Sequence, residues 1–62
     1  GKYLEAIQCY DEAIKLNPEK DHYWGSKGYC LDSLGRYVEA VECYDEAIEL
    51  KRVIIGIIKE IL

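Results

Sequence analysis

Proline is almost missing from this 62-residue chain, with Pro18 the only one. Proline breaks helices by removing a backbone donor and crowding the preceding turn. A sequence rich in Ala, Leu, Glu, Lys and Ile therefore has little to interrupt helix here. Positive charge is scarce as well: eight Lys and Arg stand against twelve Asp and Glu, for a net −4. Residues 1–50 alone carry −6, and residues 51–62 carry +2. An acidic body lacks the basic patch that phosphate backbones require, so a nucleic-acid partner is not expected. The same deficit argues against anionic membrane surfaces. Long apolar runs are missing too. The longest nearly uncharged one, residues 53–58, is far below the ~20 residues needed to cross a bilayer. No basic start leads into an apolar core and a small-residue cleavage site, so no secretory leader is expected.

Histidine occurs once, as His22, and one imidazole at a helix start reads as an ordinary surface residue. There is no Ser/His/Asp set, no HExxH and no glycine-rich phosphate loop. Asp11/Glu12 and Asp45/Glu46 are adjacent carboxylates, but adjacent residues on a helix do not face one another. No catalytic residue and no cofactor follows, and the chain is read as a non-enzyme. Cysteine is present in an odd number, Cys9, Cys30 and Cys43. That count does not close a disulfide framework and suits a reducing, cytoplasmic setting.

What the sequence does contain is a repeat. Residues 1–16, GKYLEAIQCYDEAIKL, overlie residues 35–50, GRYVEAVECYDEAIEL, with 11 of 16 positions identical at an offset of 34. Self-similarity at a fixed period in this range marks a solenoid unit. Tyr3, Ala6, Ile7, Tyr10, Ala13 and Ile14 recur at steps of three and four, which places them on one helical face, and Tyr37 to Ile48 repeat the pattern. Gly1 and Gly35 precede the two copies and suit tight turns. Pro18 ends the first helical region. A second helix is expected from about Asp21, as N-cap, to Leu34, with Trp24, Gly28, Leu31 and Leu34 on one face. Cys9 and Cys43 share one repeat position. Packed helices sit roughly 10 Å apart, too far for two such thiols to meet at one metal with ~2.3 Å Zn–S bonds. Both read as small buried hydrophobes that react slowly with thiol reagents, with a Cys-based metal or redox module as a third and less supported reading.

A 34-residue helix–turn–helix unit with Trp24, Gly28, Ala40 with Tyr44, Ala6 with Tyr10, and Pro18 at their positions resembles the tetratricopeptide repeat. Lys27 and Leu31 replace the family's usual Leu and Tyr, and Arg52 stands where a second closing proline belongs. The resemblance covers residues 1–50. It implies an all-α fold of the α-α superhelix type: a fragment with the second helix of one repeat (1–16), one complete helix pair (21–50) and a tail (51–62), all in a single domain of a truncated or excised array. It also implies that Gly28 and Ala40 are small to admit close helix approach, that Lys27 packs its stem and leaves its ammonium in water, and that His22, Gly25, Ser26, Tyr29, Asp32 and Ser33 face a groove that binds a protein or peptide.

The tail, VIIGIIKEIL, is the departure. No breaker follows Leu50, and Ala40, Cys43, Ala47, Leu50, Ile54, Ile57 and Ile61 continue in alternating steps of three and four, the seam of two helices lying side by side. One helix from about Tyr37 to the C-terminus is expected, on the order of 25 residues and ~37 Å long. Density of β-branched residues makes a strand the rival, and a short helix folding back as a cap is a third possibility. The leading functional expectation is a protein–protein interaction module that forms a homodimer through Leu50, Ile54, Ile55, Ile57, Ile58, Ile61 and Leu62. The runner-up is a monomeric peptide-binding groove from a longer scaffold.

Overall fold

The computed structural model describes all 62 residues, and the chain is 85% helical with no strand. Helix α1 spans Lys2–Leu16, α2 spans Asp21–Ser33 and α3 spans Tyr37–Ile61. Each break has a local cause. Helix α1 stops at Asn17, whose φ of −140° leaves the helical region just before Pro18. The Trp24 indole N–H then donates to the Pro18 carbonyl at 2.9 Å, tying the first turn of α2 to the proline turn. At the other end of α2, Gly35 adopts φ +80°. Its N–H donates to Asp32 and the Arg36 N–H donates to Leu31, both at 2.9 Å. This paired closure of the last carbonyls needs a left-handed residue, which glycine supplies without strain. The Arg36 guanidinium then forks onto both Glu39 carboxylate oxygens at 2.8 Å.

Two local expectations need correcting. Asp21 does not cap α2. The extended residue before the helix is Lys20, Asp21 is the first helical residue, and no side chain caps that end. The Asp21 carboxylate instead lies 3.8 Å from Lys51 of α3. It still opposes the positive end of the helix dipole. Lys27 does not leave its ammonium in water. Its Nζ meets the Asp11 carboxylate of α1 at 2.6 Å and lies 6.0 Å from the Trp24 ring centroid.

Helix α2 lies between α1 and α3, which do not pack on each other. The core is small: six of 62 residues are buried, namely Ile7, Gly28, Cys30, Leu31, Ala40 and Cys43. Ala6, Tyr10, Trp24 and Tyr44 pack against it. Gly28 permits the closest approach, since a Cβ there would stand 2.8 Å from a ring carbon of Tyr44. Helix α3 runs through Gly56 as one 25-residue rod, neither a strand nor a folded-back cap. The helical penalty of each β-branched residue is below about 0.7 kcal/mol, and nothing between Leu50 and Val53 breaks the backbone ladder. Helix α2 begins beside Lys51, so it covers only the first half of α3. Every residue from Lys51 to Leu62 is exposed. The chain measures 45 × 22 × 12 Å with a radius of gyration of 12.8 Å, against about 10.6 Å for a compact domain of this length. No helix is long and apolar enough to cross a membrane.

Candidate functional site

The three helices enclose one broad groove of about 770 Å³. Its floor is α2, from which His22, Gly25, Ser26, Tyr29 and Cys30 face it. One wall is α1, with Lys2, Tyr3, Ala6 and Tyr10, and the other is α3, with Tyr44, Ala47, Ile48 and Lys51. Small floor residues give the groove its depth, and a Cβ added at Gly25 would meet nothing within 4 Å. Aromatic rings bound it. Tyr3 and Tyr29 meet edge to face at 6.5 Å, and Tyr10 lies 6.5 Å from Tyr23. Such rings offer large apolar faces with a hydroxyl at the tip. The charged lining residues are Lys2 on α1 and, paired at 3.8 Å, Lys51 and Asp21. Burial against α2, together with the nearby Asp32 carboxylate, raises the pKa of the Tyr44 phenol.

Of the residues expected in the groove, His22, Gly25, Ser26 and Tyr29 line it, while Asp32 and Ser33 are exposed at the far end of α2, outside it. The walls were not expected. Assigning the groove to one helix overlooked that α1 and α3 rise on either side of α2. Part of the signal was present in the repeat: Tyr10 of α1 corresponds to Tyr44 of α3 and both line the groove, whereas Ala6 lines it and its equivalent, Ala40, is buried in the core.

The cysteines divide. Cys30 and Cys43 are buried, and desolvation pushes the Cys43 thiol up, partly offset by the Lys27 ammonium. Cys9 is exposed, which corrects the expectation of a slow, buried thiol at that position. The repeat places Cys9 and Cys43 equivalently, but Cys43 has α2 packed over it and Cys9 does not. No group of three His, Cys, Asp or Glu side chains is arranged to hold a metal ion.

The second surface is the free half of α3. The seam that packs on α2 through Ala40 and Cys43 emerges into solvent at Ile54, Ile57 and Ile61, with Leu50 half-buried where α2 begins. A second stripe runs beside it. Val41, Tyr44, Ile48, Lys51, Ile55, Ile58 and Leu62 also alternate steps of three and four, one residue and thus about 100° around the helix from the first. Six of these seven are apolar, and five of the six are exposed, with Ile48 at 54% and Ile55 at 52%. Tyr44, Ile48 and Lys51 of this stripe belong to the α3 wall of the groove.

Over residues 1–52 the chain matches a family model described as tetratricopeptide repeat. No curated protein and no solved structure matches it.

Proposed function

Since the chain belongs to the tetratricopeptide repeat family, whose repeats are typically non-catalytic protein-interaction modules, we propose that it acts by protein–protein association and that its first partner is a second copy of itself, held as a homodimer through the apolar end of α3. The observation that carries this reading is the exposure of Val53, Ile54, Ile55, Ile57, Ile58, Ile61 and Leu62, at 44–97%. Contiguous apolar surface of this kind on a soluble chain marks an interaction site. Repeat units also bury a continuous core only when neighbours stack, and the core of six residues here is small. Sedimentation equilibrium on the full chain and on a version ending at Leu50 tests the reading. The full chain should show twice its 7.2 kDa mass at tens of micromolar, and the shortened chain should be monomeric. A monomeric full chain, or a shortened chain that keeps the parent's association state, would refute it.

The tyrosine-walled groove favours a second reading, in which the monomer takes up a peptide from another protein. A monomeric full chain that retains its helicity is the result that would favour this alternative.

A further inference from the structure

We propose that two copies pair their α3 helices antiparallel along the second stripe, so that the tail of each lies in the α1–α3 groove of the other. The inference rests on the self-association reading above and adds the mating surface, the direction and the occupant of the groove.

Three observations lead to it. First, a heptad-spaced apolar stripe calls for another helix alongside it, with knobs from each set into holes of the other. The second stripe spans residues 41–62, on the order of 33 Å, and α2 touches it only at Tyr44, beside Gly28, and at Lys51, beside Asp21. A contact confined to residues 53–62 would run only about 15 Å and fall short of the roughly 800 Å² per partner of a standard interface. The full stripe together with the groove supplies the remainder.

Second, charge selects the direction. The first half of α3 carries Glu39, Glu42, Asp45, Glu46 and Glu49, whereas the second half carries Lys51, Arg52 and Lys59 against Glu60. Parallel pairing sets acid beside acid. Antiparallel pairing instead sets the net-neutral tail, residues 53–62, beside the partner's acidic half, with Lys59 near the partner's Asp45, and opposes the two helix dipoles. The register that matches the stripes places Ile48 opposite the partner's Ile55 and Val41 opposite the partner's Leu62. Lys51 then falls near the two-fold axis opposite the partner's Arg52, and the like charges are offset within each chain by Asp21, 3.8 Å from Lys51, and Glu49, 3.1 Å from Arg52. One polar residue in an apolar seam fixes register at some cost in affinity.

Third, the geometry covers both stripes at once. The groove lies on the second-stripe side of α3, because Tyr44, Ile48 and Lys51 wall it. A right-handed helix laid antiparallel along that wall by its own second stripe turns its first stripe, about 100° away, across the floor of the same groove. Ile54, Ile57 and Ile61 of the tail thereby face the partner's Tyr29 and Tyr3. Closed two-fold symmetry repeats the arrangement on the other side, leaving no open face to propagate.

The test uses the full chain with Cys9→Ser, which removes the one exposed native thiol. Ile48→Cys combined with Ile55→Cys should oxidise almost completely to a covalent dimer, and either substitution alone should not cross-link. Ile48→Glu, which lies outside the tail, should weaken association at least tenfold with helicity by circular dichroism unchanged. Self-linking of Ile48→Cys alone would mean parallel pairing and overturn the proposal. A dimer that survives Ile48→Glu, or one in which the double variant fails to cross-link, would overturn it while leaving tail-mediated association standing. A monomeric parent would end both.

Discussion

Gly28 and Gly25 lie three residues apart on one helix and should respond to the same change in opposite ways. A methyl group at Gly28 would stand 2.8 Å from Tyr44 Cε1 and 2.9 Å from Cδ1, inside any ordinary contact. The ring cannot easily yield, because Tyr44 is itself packed against the core. Gly28→Ala should therefore destabilise by about 1–3 kcal/mol through overpacking, larger than the ~1 kcal/mol that alanine returns in helix propensity. Gly25 faces the groove, so in the chain ending at Leu50, which has no tail to fill it, Gly25→Ala should stabilise by up to about 1 kcal/mol. Thermal melts of the two variants check both signs, and a Gly28→Ala protein that melts above the parent would show that the α2–α3 approach is not tight. Lys27 belongs to this scale too. The family resemblance marked it as a polar residue at a usually apolar position, but only the placement of Asp11 on the neighbouring helix shows that the ammonium is paired at 2.6 Å rather than left in water.

At the scale of helices, most of the architecture was legible in the sequence. The 34-residue repeat located α1 and the first half of α3, Pro18 and Gly35 marked the turns, and the uninterrupted seam from Ala40 to Ile61 favoured one long helix over a strand or a folded-back cap. Less legible was the groove, because periodicity within a helix says which residues share a face but not which neighbour rises beside it. Asp32 and Ser33 are exposed and do not line the groove, and Tyr3 and Tyr10 entered it from a helix assigned only to packing. Cys9 failed for the same reason, since two copies of one sequence differ in burial when only one has a helix over it. The long helix carries its own prediction. Gly56 lies in its interior, and an added Cβ would meet nothing within 4 Å. Gly56→Ala should raise helical ellipticity and stabilise α3 by roughly 1 kcal/mol. A loss of helicity would mean that the tail bends at Gly56 instead of continuing straight.

For the molecule as a whole, stability and association should be one property. Six buried residues are a small core for 62, and chains of this size are marginal on their own. The tail leaves seven Val, Ile and Leu side chains largely in water. Full burial of each is worth ~1.5–3 kcal/mol, so leaving them wet forgoes on the order of 10 kcal/mol, comparable with the net stability of a whole domain. If a second copy covers them, much of the folded state's free energy resides between chains, and unfolding becomes dissociation as well. Mass action then makes the melting temperature depend on protein concentration. Each tenfold increase adds about 1.4 kcal/mol to the dimer, which for this size moves the midpoint up by roughly 3–6 °C. Melts of the full chain at concentrations spanning two decades should climb accordingly. The chain ending at Leu50 should melt lower and at one temperature throughout, since it retains the α2–α3 core but not the surface that a partner would cover. A full chain whose midpoint stays fixed across that range folds alone, and its exposed tail would then do nothing for its stability.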